Sequence, residues 1–488
     1  MSTLESQAFE TVGSSHWGKE ESKEYGKWLN RGIHLRANRH TKKREVLDLA
    51  KTLLGELKID GYKRTLKWLA LICILSNLCL GTWLGVPVMF SRNYHHYQVP
   101  KRYRYDFFTR HHMLPVVKEL EKADFIRVAS GRHDLHKMSR MWATDKLLDR
   151  LEELAAEDIE KLPPPDPIIM TKRVKKRGNC YVNEPTEYVD NAKTVGMRRF
   201  LQCYNSLLDE TRVEIELPPE TYRTLSEKAV LYFIVMAKGV SVDSEVVKLL
   251  NTVSGVEQED ILREVIQTHI PLLSFSNTLS LNYKKIHRVF NRNSWKMGGR
   301  FYGSEAQTLP KELRQHLLIN GEATAELDFS AMHLRMLYHG RGLKAPEGDL
   351  YAFGEDRSLN KVAALVVINC EPEQDEVKAI SAAFRDDKEL RSKFGDGILK
   401  HDFVRRLITD FKTAHPAIAG DFFSGCGLKL QYRDSMIMEG ILKHFIGNEV
   451  PVIPVHDSVI VPVRYADEAK QVMNKVYKNH MGFDPVVG

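Results

Sequence analysis

Cysteine is scarce and unpatterned in this chain. The 488 residues hold six (Cys73, Cys79, Cys180, Cys203, Cys370 and Cys426), with no Cys-x-x-Cys pair. That scatter argues against a zinc ribbon or a disulfide framework and fits a reducing compartment, so a cytoplasmic location is expected. There is no internal repeat and no low-complexity tract. Residues 1–22 are polar and lack the apolar core of a secretory signal. Hydrophobic residues make up 43% and charged residues 28%, which excludes a mostly disordered, collagen-like or coiled-coil protein. An excess of one charge is also missing. The 71 Lys and Arg against 64 Asp and Glu leave a net charge of +7, which permits a polyanionic partner without demanding one.

One long apolar stretch without a charge needs a decision, residues 68–90, WLALICILSNLCLGTWLGVPVMF. Its length alone allows a membrane span. Ser76, Asn77 and Thr82 are polar, however, and Gly81, Gly85 and Pro87 break a helix. The expectation is a buried helix of about 12 residues, a break and a second short element, with no membrane partner.

Four regions follow. Residues 1–160 read as a basic, helix-rich domain behind a loose arm over 1–30. The pattern predicts helices over 45–57, 110–124 and 144–156 and strands over 125–129 and 138–143, the strands joined by a turn at Ser130-Gly131-Arg132. Helices followed by a hairpin and a last helix make a winged-helix-like pattern. Such a module sets a helix in the major groove of duplex DNA and touches phosphate with its wing. Arg102, Arg104, Arg110, Arg127, Arg132 and Arg140 would supply the charge. A helical packing domain with solvated charges is the plain alternative. Residues 161–178 read as a linker, proline-rich at 162–167 and basic at 172–177. Residues 179–297 read as mostly helical, with helices over 197–207, 227–236 and 260–273. Lys284, Lys285, Arg288 and Arg292 add positive charge there. The sharpest signals lie in 298–488.

The first signal is 325–338, AELDFSAMHLRMLY, where an apolar strand delivers Asp328 and a helix follows. The second is 451–463, PVIPVHDSVIVPV, two β-rich runs around His456-Asp457-Ser458, which predicts a hairpin with a carboxylate at its tip. Between them lies 357–370, where Arg357, Lys361, Leu365 and Asn369 share one helix face. Two carboxylates can hold two divalent cations for in-line phosphoryl transfer, and magnesium suits such a site because it binds few carboxylates plus phosphate oxygens. Two cations on one helix face can cradle a triphosphate. Taken singly each feature is bland. Asp328 could cap a helix, Asp457 could serve a turn, and Arg357 with Lys361 could be a solvated start to a buried helix.

Together the three segments resemble motifs A, B and C of the family A nucleic-acid polymerases, the polymerase I-type DNA polymerases and the related single-subunit phage-type RNA polymerases. Asp328-Phe-Ser-Ala-Met-His333-Leu-Arg335 is similar to motif A. Arg357, Lys361, Leu365 and Asn369 fall on the spacing of motif B, and Val455-His456-Asp457-Ser458 is similar to motif C. Gly299-Arg300, Gln307-Thr-Leu-Pro310 with Arg314, and Gln431 resemble further family elements in the right order. The resemblance implies an α+β, multidomain chain with a right-hand catalytic region over 298–488: a palm with an antiparallel sheet and short helical fingers, with the thumb in 179–297, where Lys284, Lys285, Arg288 and Arg292 are candidates for template-backbone contacts. It implies that Asp328 and Asp457 hold two Mg2+ ions, with Mn2+ as the substitute. Arg357 and Lys361 would grip the β- and γ-phosphates, and Lys361 would protonate the leaving pyrophosphate. His333, Leu365 and Asn369 would line the nucleotide site. Arg300, Arg314, Arg335, Gln431 and His456 would meet the DNA primer–template.

Three departures bear on the product. His333 stands where DNA polymerases of the family carry Glu, Leu365 and Asn369 stand for Phe and Tyr, and Ser458 stands for an acid. DNA synthesis from dNTPs is the expected activity, because 329–338 is closer to the DNA-polymerase pattern. RNA synthesis, priming or untemplated nucleotide transfer is the alternative favoured by the departures. A non-catalytic winged-helix DNA-binding protein is the third. No second carboxylate set suggests a proofreading exonuclease.

Overall fold

The structure is a computed structural model describing residues 19–59, 63–131, 138–151, 158–176, 181–218, 221–237, 247–248 and 278–488. The helix expected over 260–273, the end of that over 144–156, and Arg132, Arg177 and Cys180 lie outside these residues. The chain is mixed α and β with several separate sheets. It divides into two compact units that interleave in sequence. The first is Met1–Pro167, Arg212–Ile286 and Gly303–Gly321, the second Ile168–Thr211, His287–Tyr302 and Glu322–Gly488.

The first unit is built around the apolar stretch. It forms one helix, Arg64–Trp83, longer than expected, and Gly81 does not interrupt it. All residues from Ala70 to Gly81 are buried. By length and composition the helix could cross a membrane. Its polar residues are instead used inside the protein. Ser76 bonds back to the Ile72 carbonyl at 2.9 Å, and Asn77 spans the loop before it. The Asn77 Oδ1 accepts from the Arg36 N–H and from the buried Arg39 Nη1, both at 3.0 Å. Its Nδ2 donates to the Arg36 carbonyl at 3.0 Å and the Cys73 carbonyl at 2.8 Å. A buried amide is tolerated only when its hydrogen bonds are made, and these are. After Gly85, with φ 66°, and Pro87 the chain turns into the strand Val88–Phe90.

That strand pairs parallel with Ile33–His34 and antiparallel with Ser139–Ala143, which pairs antiparallel with Ile126–Ala129. Helices Arg44–Glu56, Arg110–Lys122 and Asp145–Leu151 complete the region. Part of the expected loose arm is a helix, Lys19–Asn30. Trp28 on it donates to the Gly85 carbonyl at 2.7 Å and packs on Trp142. Two arginines expected to face DNA are occupied internally. Arg140 is buried and donates to the Leu29 carbonyl, and Arg102 pairs with the buried Asp166 at 2.8 Å. Three strands paired antiparallel, Thr278–Ser280, Val213–Glu216 and Leu317–Ile319, also belong to this unit.

The second unit carries the motif segments. Its four-stranded sheet runs Gly298–Tyr302, His287–Phe290, Ile168–Lys175 and Tyr181–Pro185. Residues 168–175, expected to belong to a linker, are therefore a paired strand. Strands also enter the stretch 179–297, read as mostly helical, alongside the helices Ala192–Glu210 and Glu227–Ala237. Alternating residues there serve a sheet, and the charged ones mask the β pattern. Arg288 is fully buried, paired with Glu439 at 2.5 Å and donating to the Gly299 carbonyl at 2.8 Å, so it faces no template. Arg292 pairs with Glu371.

Candidate active site

The strand Glu322–Asp328 pairs antiparallel with Ser458–Pro462, and Asp328 stands opposite Ser458. Ser458–Pro462 also pairs with Ile453–Val455, with Val455 opposite Ser458. His456 and Asp457 are thus a two-residue hairpin loop. His456 takes φ 58°, the left-handed conformation that such a tight loop demands and a non-glycine residue resists. The register sets Asp457 beside Asp328, and the Phe329 N–H points to the Asp457 carbonyl at 3.4 Å. On its other edge Asp328 exchanges backbone hydrogen bonds with Gly488, both 3.0 Å, and the Ser330 N–H donates to Val486 at 2.9 Å. The buried Phe329 ring packs on Tyr477 of the Ala466–Met481 helix. Ala331, at φ 48°, then bends the chain into the helix Met332–Gly340.

This sheet end is acidic. The Asp328 carboxyl is raised to about 6, first by burial, then by the charges of Asp457 and Glu326, while Lys361 pulls it back down. Asp328 still keeps an exposed edge, so the crowding comes from one side. Glu326 lies two residues back on the same strand face and accepts from Ser458 Oγ at 2.8 Å. The Ser458 hydroxyl also lies 3.0 Å from the Val455 carbonyl, which makes it part of the hairpin's framework.

The helix Arg357–Asn369 carries the expected cation face. Arg357, Lys361, Leu365 and Asn369 are all exposed, whereas Leu359, Ala363, Ala364 and Val367 are buried. Leu365 keeps 62% of its surface exposed, among the largest values for an apolar side chain here. Arg357 is paired with Asp349 and lies over the Tyr351 ring at 5.8 Å. Buried Asn360 donates to the carbonyls of Tyr351 at 2.9 Å and Phe353 at 2.7 Å, which fastens the loop in front of the helix. The Tyr351 hydroxyl is pushed up to about 12 by burial and then by Asp457 and Asp349. The Asn369 amide donates back to the Leu365 carbonyl at 2.7 Å.

Arg300 and His333 meet through a residue to which the sequence analysis gave no role. Asp434, on the helix Gly427–Gly447, is 2% exposed. It accepts from Arg300 Nε at 2.9 Å and Nη2 at 2.5 Å, and lies 2.7 Å from His333 Nε2. An ionised carboxylate only accepts, so His333 carries its proton on Nε2, and the 3.2 Å approach of Arg300 Nη2 to that nitrogen is a packing contact. Burial opposes the Arg300 charge, and Asp434 and then Asp457 hold it in place. Gly299 makes the close approach possible. Its φ is 84°, and a Cβ would press on Phe290 and on Ser435 Oγ. Asp434 and Glu439 are the two acids on a helix face otherwise built from residues such as Leu430, Ile437 and Met438, and an acid on such an apolar face was the available signal, since a buried carboxylate requires partners.

The remaining candidates separate. Gln431 is half-buried one turn before Asp434, and His456 is exposed with its ring 6.0 Å from Tyr302. Arg335 is buried and donates to the carbonyls of Ser330, Pro346 and Gly348, so it braces the turn after Asp328. Arg314 belongs to the first unit and donates to the Leu309 carbonyl at 2.9 Å.

Among the described residues no group of three or more His, Cys, Asp or Glu side chains is placed to hold a metal ion. Asp328 and Asp457 alone are a sparse set of hard oxygen donors. Such a set fits magnesium, which takes its other ligands from water and substrate phosphate. A bound cation would offset the burial and the neighbouring carboxylates that raise Asp328. No family model matches the chain, and no curated protein matches it.

Proposed function

We propose that this chain is a template-directed nucleic-acid polymerase that extends a 3′-hydroxyl with nucleoside triphosphates, with DNA as the product. One observation carries the reading. Two aspartates distant in sequence share one sheet end, and a helix with two exposed cations has Lys361 close enough to lower Asp328. The strands Glu322–Asp328, Ser458–Pro462 and Ile453–Val455 would belong to the palm, the helix Arg357–Asn369 would be the fingers, and the helices with the hairpin over 126–143 a winged-helix-like module on duplex DNA.

Each residue then has a task. Asp328 and Asp457 hold the cations, Mg2+ or Mn2+, which when bound lower the pKa of the attacking hydroxyl and offset charge on the phosphates. Arg357 and Lys361 bind the β- and γ-phosphates, and Lys361 gives a proton to the departing pyrophosphate. Asp349 and Tyr351 hold Arg357 in position. The exposed Leu365 offers an apolar face to the incoming base. Asp434 orients Arg300 and His333 beside the acids. Most of the rate comes from position and charge, as in other phosphoryl transfers.

A specific observation favours the RNA-synthesising or untemplated alternative. The imidazole of His333, with its Nε2 committed to Asp434, occupies the place of a carboxylate, and Asn369 presents a small amide in place of an aromatic ring. Extension of a labelled primer–template, with dNTPs and NTPs offered separately, tests both. Template-dependent dNTP addition that vanishes in Asp328→Ala and Asp457→Ala supports the first reading. NTP addition moves the chain to the second, and no addition on primed or unprimed templates overturns both.

A further inference from the structure

Residues 61–105 contain seven Lys and Arg and no Asp or Glu. Part of this stretch is the buried helix Arg64–Trp83, and the rest reaches the surface after the strand Val88–Phe90. Arg92, Asn93, Tyr94, His95 and His96 are consecutive and all exposed. They lie on and before a single 3-10 turn, Tyr94–Tyr97, which is firmly built. Asn93 caps it by accepting from the His95 N–H at 3.0 Å. Tyr97 is buried, donates to the Ser91 carbonyl at 2.7 Å and packs on Phe108 at 5.6 Å. The Tyr94 ring remains 60% exposed. Arg110 Nε donates to the Arg92 carbonyl at 2.9 Å, which brings the exposed start of the Arg110–Lys122 helix, Arg110 and His111, against the same turn.

We propose that Arg92, Tyr94, His95, His96, Arg110 and His111 form a docking surface for a single strand of nucleic acid. Tyr94 stacks on one base, and Arg92 and Arg110 meet the flanking phosphates. A rigid exposed ring among cations is the combination that grips unpaired bases, because a base offers its flat face only when unstacked. Duplex DNA presents phosphates and base edges and leaves Tyr94 without a partner. A lipid surface needs several apolar anchors, and Tyr94 is the only large exposed hydrophobic side chain among the described residues of 63–122. The surface lies within the first unit and uses no residue of the candidate active site, so the inference goes beyond the polymerase reading and does not rest on it.

The test uses the full chain and fluorescence anisotropy with a labelled oligothymidylate of about 20 nucleotides, a hairpin duplex of similar length, and phosphatidylcholine–phosphatidylserine vesicles as a third probe. Tyr94→Ala should weaken strand binding about tenfold, and Tyr94→Phe should preserve it, since stacking needs the ring and not the hydroxyl. Arg92→Ala with Arg110→Ala should make the slope of log affinity against log salt shallower by about 1.4, the loss of two single-strand phosphate contacts. Strand affinity unchanged in Tyr94→Ala overturns the proposal. So does a loss of duplex binding in Tyr94→Ala as large as its loss of strand binding, or transfer of the wild-type chain to vesicles. Primer extension measured alongside separates the two readings. A wild-type chain that binds the strand through Tyr94 but extends nothing sinks the polymerase and leaves this surface standing.

Discussion

Replacing Asp434 by Asn changes no shape and removes one charge, and the structure says how much that should cost. The carboxylate is 2% exposed, and the Arg300 side chain that it pairs with is 16% exposed. Two Arg300 nitrogens and one His333 nitrogen point at it. Asn keeps one acceptor and turns an N–H2 towards a guanidinium. Removing one partner of a buried ion pair costs ~3–5 kcal/mol, because the other charge stays buried. Arg300 retains some water and the field of Asp457, so the lower end, about 3 kcal/mol, is the expectation. In a unit of this size each kcal/mol moves the melting temperature by ~2–4 °C, so the loss should be about 6–12 °C. Scanning calorimetry of the full chain measures it, with Asp434→Glu as the charge-preserving control. Freed from Asp434, Arg300 and His333 should also misplace the primer end, so that KM for primer–template rises in the extension assay. A melting temperature within about 2 °C of wild type would refute the claim that burial gives this pair its weight.

Three further outcomes are expected. Asn77→Leu should destabilise the first unit by roughly 3 kcal/mol, since Arg39 and the 36 peptide lose buried partners; in a membrane span the same change would stabilise, and urea unfolding of the detergent-free chain tells them apart. A carboxyl raised from 3.8 to about 6 binds its proton more tightly in the folded state, so its favourable contribution is present at low pH and is lost as pH rises through that interval. Asp328→Asn should therefore raise the melting temperature of the chelator-treated chain near neutral pH and leave it unchanged at about pH 4; a gain confined to acid pH contradicts the sign. Lys361→Ala should slow extension by about 10²–10³-fold while leaving the melting temperature nearly unmoved, because the side chain is exposed; a large loss of stability would make Lys361 a structural residue.

How legible the site was differs from residue to residue. Asp328 and Asp457 could be read because each ends a short apolar run, and strands deliver side chains at fixed ends. The face of Arg357, Lys361, Leu365 and Asn369 could be read because helical spacing is local. Asp434 could not. Its role exists only where the Gly427–Gly447 helix crosses the strand Gly298–Tyr302, and that approach depends on Gly299. Arg288, Arg335, Arg102 and Arg140 looked like contacts for a polyanion, yet the fold turns them inward onto carboxylates and carbonyls. A charged residue in sequence does not show whether its partner is water or protein.

By itself the sequence determined the periodic elements: the buried helix around Asn77, the hairpin tipped by His456 and Asp457, and the strand ending at Asp328. These follow from the side-chain pattern and turn chemistry of neighbouring residues. Only the tertiary structure decided that strand Ile168–Lys175 and strand His287–Phe290 join one sheet, that Arg300, Asp434 and His333 form one hydrogen-bonded set, and that Arg92, Tyr94 and Arg110 share a surface. Those pairings join segments far apart along the chain. They are fixed by which faces can be buried together, a property of the whole fold that no single segment carries.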